Sequence, residues 1–215
     1  MKDLYIVGSG GFSKQVIEII ELLNKKEKQY LLKGIIDDDE YRIGKKILGY
    51  KVVGTTNYLN EISKMKKTYA VIAIANGKIK EKITQSLSNI NYVNLIHPNS
   101  VLSNYINIGK GNIICGGVII NPDVTISNHC HINIGTTFGH DVELEDYVSV
   151  MPGCNISGNV LIKNKAMIGT GSVINQGLVV GRETMIGSGA VLTKDALKQS
   201  LYVGVPAKKE KAFHF

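Results

Sequence analysis

From Ile108 to Leu192 the chain reads, in groups of six, IGKGNI ICGGVI INPDVT ISNHCH INIGTT FGHDVE LEDYVS VMPGCN ISGNVL IKNKAM IGTGSV INQGLV VGRETM IGSGAV L. The first residue of every group is large and apolar, through Ile120, Ile132, Phe138, Leu144 and Val150 to Leu192. At the chain's 44% hydrophobic content, chance gives such a run roughly once in 10⁴ to 10⁵ trials, so the period is a signal. It extends backwards through Leu102 and Ile96. A second column, two residues ahead of each of these, is mostly small or β-branched: Val118, Val124, Cys130, Thr136, Val142, Val148 and on to Ala190. Turn formers sit between the columns, as in Gly109-Lys110-Gly111, Asn121-Pro122-Asp123, Gly139-His140-Asp141 and Gly187-Ser188-Gly189.

A period of six matches neither a helix nor simple strand alternation. It predicts a parallel β-helix whose coil is a triangle of three short strands and three corners, about 18 residues per turn. The large residue fills the prism, the small one sits near the corner, and Gly, Asn and Asp supply the strained corner backbone. Five coils stacked at strand spacing make a prism roughly 24 Å tall. The register has no insertion, so no long loop should leave the coils. Outward positions in the later coils are apolar: Leu161, Met167, Val173, Val179, Met185 and Val191. Such columns need cover, either from other copies of the chain or from its own C-terminal segment.

The first 95 residues read differently. Leu4-Tyr5-Ile6-Val7 is a buried strand, Gly8-Ser9-Gly10-Gly11-Phe12-Ser13 a glycine turn, and Lys14 to Leu23 an amphipathic helix. Glycines let backbone approach phosphate, and a helix N-terminus favours negative charge. Leu31 to Ile36 is a second strand ending in Asp37-Asp38-Asp39, either a ribose-binding acidic end or a solvated turn. Tyr69 to Ala75 is a third strand, Asn76-Gly77 a turn, Lys78 to Leu87 a helix, and Tyr92-Val93-Asn94-Leu95 a last short strand. This is half a dinucleotide domain, which suits a single nucleotide better than NAD.

Composition narrows the function classes. Of 215 residues 20% are charged, an ordinary proportion for a globular chain, and no apolar run approaches the length that spans a bilayer. The N-terminal apolar run is too short for a signal-peptide core, so a cytoplasmic location is expected. Cys115, Cys130 and Cys154 give no disulfide framework. The net charge of +7 is spread along the chain without the aromatic interleaving of RNA binders, leaving solvated lysines or a small polyanionic ligand such as a nucleotide diphosphate or coenzyme A. Of five histidines, His97 precedes Pro98 at the domain junction and reads as structural, and His214 lies in the terminal tail. His129, His131 and His140 match no common zinc spacing, so no metal is expected. His140 sits at a corner beside Asp141, which can orient its imidazole and support its protonated form. One coil higher at the same corner is Gly158, either a corner former or a bare amide for an oxyanion.

The glycine turn, the Asn94-Leu95-Ile96-His97-Pro98 junction and the hexapeptide coils together resemble the hexapeptide-repeat sugar O-acyltransferase/sialic acid O-acetyltransferase family, which includes nucleotide-sugar N-acetyltransferases of the bacillosamine and perosamine type. The resemblance covers essentially the whole chain. It implies an α/β Rossmann-like domain over residues 1–95 holding the sugar nucleotide, a left-handed β-helix over 96–195, and a C-terminal segment, 196–215, near coenzyme A. It implies a homotrimer with sites in the clefts between prisms, acting in bacterial glycan biosynthesis, with acetyl-CoA as co-substrate. His140 and Asp141 fall on the family's catalytic pair. Gly8, Gly10, Gly11, Phe12, Asp37, Asp38, Asn76, Lys78 and Asn133 fall on the substrate side. Ser149, Gly158, Ile168, Gly171, Gly187, Gly189 and Lys208 fall along acetyl-CoA. Lys208 and Lys209 either meet coenzyme phosphates or form a solvated tail. Ser149 and Phe12 stand where some members have histidine. The expected reaction is N-acetylation of a nucleotide-linked 4-amino-4,6-dideoxy sugar, with O-acetylation of a sugar hydroxyl as the alternative and a non-catalytic nucleotide-binding scaffold as the reading from another class. Trimeric γ-type carbonic anhydrases share the β-helix, which keeps a metal test worthwhile.

Overall fold

The computed structural model describes residues 1–212; His214 lies outside the described residues. The chain opens with β1 (Lys2–Val7), α1 (Gly11–Lys26), β2 (Tyr30–Ile36), the hairpin β3 (Lys46–Ile47) and β4 (Tyr50–Gly54), α2 (Thr56–Met65), β5 (Thr68–Ile72), α3 (Gly77–Ser86) and β6 (Ile90–Tyr92). They form a six-stranded sheet in the order β3-β4-β2-β1-β5-β6, parallel except at the β3–β4 hairpin. Both faces of β1 are buried because helices cover both. Leu4 and Ile6 pack with Val16, Ile17 and Ile20 of α1, while Tyr5 and Val7 pack with Leu59 of α2 and Ile83 of α3.

From Leu95 to Leu192 every strand is two residues long, and three parallel faces stack one strand per coil. The first face runs Leu95–Ile96, Ile113–Ile114, His131–Ile132, Ser149–Val150, Met167–Ile168, Met185–Ile186. The second runs from Val101–Leu102 through Thr137–Phe138 to Val191–Leu192, and the third from Asn107–Ile108 through Glu143–Leu144 to Val179–Val180. The partner of each strand is 18 residues on, as expected; corner hydrogen bonds such as Asn128 N–H to the Asp146 carboxylate span the same 18. The apolar column fills the prism, with Ile132, Leu144, Val150, Ile162 and Ile168 at 0% exposure.

Every sixth residue from Gly111 to Gly189 has a positive φ. The first–second corner uses glycine throughout (Gly117, Gly135, Gly153, Gly171, Gly189), and the second–third corner uses Asp123, Asp141, Asn159 and Gly177. The third–first corner departs from the expected Gly, Asn and Asp, since above Gly111 it carries His129, Tyr147, Lys165 and Glu183. A bulky left-handed residue costs about 1 kcal/mol, and these four share a task. They form the seam on which α3 docks: Thr84 bonds the Tyr147 hydroxyl (2.9 Å), Glu81 pairs with Lys165 (2.9 Å), Lys78 with Glu183 (3.3 Å), and Tyr92 of β6 meets the His129 ring edge-on.

Several elements differ from the sequence reading. Helix α1 begins at Gly11, not Lys14, so the glycine turn itself starts the helix. The third strand ends at Ile72, and Ala73–Ala75 become cleft wall. The β3–β4 hairpin and α2 have no counterpart in the sequence reading; within α2 only Leu59 and Ser63 are buried. Above Leu192 the coil shortens by two residues: Val180 bridges Ala196, and Ser200–Val203 pairs with Met185–Ile186 before an antiparallel strand, Lys208–Ala212. This C-terminal hairpin extends the first face instead of covering the apolar columns. Those columns lie two on each face: Met167 and Met185, Val173 and Val191, Leu161 and Val179. No helix among the described residues is long and apolar enough to cross a membrane.

Candidate active site

Two sites emerge, at different places on one chain. The first is a cleft of about 470 Å³ lined by Gly8, Ser9, Gly10, Gly11, Phe12, Asp37, Asp39, Arg42 and Ala73–Ala75. Gly10 caps α1 through its backbone alone; no side chain bonds the helix's first amides. An uncapped N-terminus of a long helix is a ready anion site. A Cβ on Gly10 or Gly11 would meet nothing within 4 Å, so packing does not demand glycine there, whereas a Cβ on Gly8 would stand 2.6 Å from Ile74.

Asp37 accepts from the Ser9 amide (2.9 Å), from the Ser9 hydroxyl and from the Asp39 amide (3.0 Å). Burial raises its pKa, but these hydrogen bonds and the Arg42 charge outweigh burial and hold the carboxyl below its ordinary value. Its first role is therefore to clamp the glycine turn. Arg42, which the sequence reading passed over, braces the same turn by donating to the Ser9 carbonyl (3.1 Å) and hydroxyl (2.9 Å). Three further residues expected on the substrate side have partners within the chain. Asp38 turns away to accept from the Thr56 amide (2.7 Å) at the start of α2. The Asn76 side chain caps α3 by accepting from the Ile79 amide (3.1 Å). The Lys78 ammonium is held by Glu183.

The second site is the second–third corner. His140 Nδ1 lies 2.6 Å from Asp141 Oδ2, with both side chains about half exposed. Asp141 reaches back to its neighbour because its backbone is left-handed, φ 57°. Gly158 lies directly over the imidazole; a Cβ there would stand 2.8 Å from both Cε1 and Nε2. Its carbonyl accepts from the Gly177 amide, while its own amide bonds no other described residue. A bare N–H beside an open imidazole is the arrangement an acyl carbonyl requires. Asn133, whose side chain accepts from the Ile134 amide (2.8 Å), is at the first–second corner, as are Gly171, Gly187 and Gly189. One chain thus separates Asn133 and these glycines from His140 and Gly158 by the width of the second face.

Two residues expected along acetyl-CoA have buried side chains. Ile168 points into the prism at 0% exposure. Ser149 is 1% exposed beneath the N-terminal domain, donating to the Ala75 carbonyl (2.7 Å) and accepting from Lys80 (3.0 Å). Lys208 is exposed in the last strand. The two remaining coil histidines are buried under the same domain. His131 Nε2 bonds the Ile72 carbonyl (2.8 Å) and its ring meets Phe12, while His129 stacks on Tyr147. Among the described residues no group of three or more His, Cys, Asp or Glu side chains is placed to hold a metal ion. His97 Nδ1 accepts from the Asn99 amide at the domain junction.

Residues 3–87 match the PglD N-terminal domain family. The GDP-perosamine N-acetyltransferase of Escherichia coli O157:H7 is 34% identical over 135 residues, 60% of this chain; the match spans 56% of that protein. A perosamine N-acetyltransferase from Caulobacter crescentus, solved in complex with CoA and GDP-perosamine, superposes with a TM-score of 0.87 at 28% identity over 98% of both chains. The acetyltransferase domain of PglB from Neisseria gonorrhoeae, in complex with acetyl coenzyme A, gives a TM-score of 0.87 at 28% identity over 97% of this chain and 99% of that one. The glycine-turn domain, the hexapeptide coils and the corner histidine thus stand in one continuous chain, whose N-terminal domain matches the PglD N-terminal domain family and whose fold over nearly its whole length is that of these acetyltransferase structures.

Proposed function

We propose that the protein transfers the acetyl group of acetyl-CoA to the amino group of a nucleotide-linked 4-amino-4,6-dideoxy sugar. The observation that carries this reading is the His140–Asp141 pair beneath the free amide of Gly158. The sugar amine attacks the thioester carbonyl carbon, and the new C–N bond forms as the carbonyl becomes an oxyanion. His140 accepts the amine proton through Nε2, and Asp141 at Nδ1 fixes the ring and supports the imidazolium. The Gly158 amide faces the oxyanion. When the tetrahedral adduct collapses, the C–S bond breaks and the imidazolium returns the proton to the departing thiolate. The phosphates of the sugar nucleotide rest on the uncapped start of α1.

The working unit we propose is a homotrimer. The N-terminal domain lies on the first face, through His131 and Ser149, and His140 sits at the opposite vertex of the triangle. A sugar whose nucleotide is held in one chain's cleft therefore meets the His140 of a neighbour. Bringing the second–third corner of one prism against the first–second corner of the next turns all three second faces inward. That face carries exposed Val101 (63%) and Ile119 (45%) and half-buried Val173 and Val191. Acetyl-CoA would then run along the groove between the Gly158 corner and the neighbour's Gly171 and Gly189. We place the reaction in the cytoplasm, where acetyl-CoA and nucleotide sugars are supplied.

The test is thiol release from acetyl-CoA with GDP-perosamine and UDP- and dTDP-linked 4-amino sugars, with the product identified by mass spectrometry. His140→Ala should lower kcat by about 10³-fold. Acetylation of a sugar hydroxyl in preference to the amine, or full activity in His140→Ala, contradicts the reading.

A further inference from the structure

Lys80 projects from α3 into the β-helix and is 0% exposed, one of the largest fully buried side chains among the described residues. Its ammonium donates to the His129 carbonyl (2.8 Å), the Val148 carbonyl (3.2 Å) and the Ser149 hydroxyl (3.0 Å). All three acceptors are neutral, and among the described residues no carboxylate pairs with it. The titratable groups packed around it, His129, His131 and Cys130, are held neutral by burial. An unpaired buried cation is an expensive way to dock a helix, and an apolar side chain would fill the space without that cost. The surface contacts of Thr84, Glu81 and Lys78 already tie α3 to the same coils.

Lys80 differs from them in what lies behind it. Ser149, which it holds, donates to the Ala75 carbonyl at 2.7 Å, and Ala75 is wall of the nucleotide cleft. One coil below, His131 bonds the Ile72 carbonyl and carries the Phe12 ring, so cleft wall and cleft floor are both fixed to this buried cluster. We propose that Lys80, acting through Ser149, is a positioning residue for acetyl transfer: it sets the orientation of the nucleotide cleft over the β-helix, and with it the reach of the sugar toward the neighbouring chain's His140. This role rests on the acetyl-transfer reading above.

The experiment uses the full-length protein with GDP-perosamine and acetyl-CoA, comparing wild type with Lys80→Met, Lys80→Arg and Ser149→Ala well below their melting temperatures. Misplacing a reacting group by about 1 Å lowers the rate steeply. Lys80→Met should therefore lower kcat/KM for GDP-perosamine at least about tenfold while KM for acetyl-CoA stays within about twofold. Ser149→Ala should show a smaller loss of the same kind, and Lys80→Arg, which keeps a cation with several donors, should recover most of it. Hydrogen exchange reads the attachment without turnover: amides of residues 73–77 should exchange about tenfold faster in Lys80→Met and Ser149→Ala, with the coils unchanged. Kinetics in Lys80→Met equal to wild type per folded molecule, an equal loss for both substrates, or unaltered exchange at 73–77 overturns the role. If Lys80→Met does not fold, Ser149→Ala, which leaves Lys80 its two carbonyls, decides on the same criteria. A wild type that acetylates no amino sugar overturns the acetyl-transfer reading itself, before any variant is compared, and the positioning role falls with it.

Discussion

Two glycines at the His140 corner differ in what a single methyl group would do. In Gly158→Ala the three atoms nearest the added carbon all belong to the imidazole, the free end of a half-exposed side chain, which swings out. We expect kcat to fall at least about tenfold with thermal stability little changed, because the ring that yields is the base and no backbone atom is among its nearest neighbours. In Gly139→Ala the added carbon would stand 2.5 Å from the Gly158 nitrogen and 2.8 Å from the Ser157 carbonyl carbon, both backbone. There the expected result is a loss of about 2 kcal/mol in denaturant unfolding. Equal stability losses in the two variants would contradict the placement of the imidazole. His140 was legible in the sequence because the period of six assigns every residue a place on the triangle, and a histidine–acid pair at a corner stands out. Lys80 was not, because one lysine among the many on this chain gives no sign of burial. The available signal was its position three before Ile83 and seven before Leu87, on the apolar stripe of its helix.

The docking of α3 rests on a match of pitches. One helical turn rises about 5.4 Å and one coil about 4.8 Å, so Lys78, Glu81 and Thr84 meet successive coils of the third–first corner, at Glu183, Lys165 and Tyr147. A Cβ on Gly77 would stand 2.8 Å from Lys165, so the helix lies as close to the coils as backbone allows. The contact is also sensitive to acid. Burial pushes His129 down to about 4, His131 well below its ordinary value and Lys80 down to about 7. Each group binds a proton more readily in the unfolded chain, so stability rises with pH. For the histidines the gain is made up to their unfolded value near 6.5, and for Lys80 it continues above 7. Between pH 5 and pH 7 His129 alone contributes on the order of 2 kcal/mol, and the melting temperature should climb across that interval. A melting temperature at pH 5 equal to that at pH 7 would contradict the neutral burial of these rings. At this scale the coils were readable almost residue by residue, since each hexad repeats one structural rule. The hairpin and α2 were not, because what fixes them is nonlocal: β4 pairs with β2, and α2 is started by Asp38 and packed through Leu59.

At the level of the molecule, the order of two unlike units was readable because a repeat ends where its period ends. How the units meet was not, because the seam is made by side chains that break the corner rule. The trimer we propose predicts a particle of three chains in light scattering. A charge on the second face, as in Val173→Glu, should yield monomers that are folded by circular dichroism but inactive; an active monomer would contradict the shared site. The placing of His140 at the vertex opposite the nucleotide domain then has a genetic consequence. Chains spoiled at the imidazole (His140→Ala) and chains spoiled at the phosphate cradle (Gly10→Val) should each be dead alone. Unfolded together and reassembled in equal amounts, they should complement one another, since about a quarter of the junctions pair an intact cradle with an intact base.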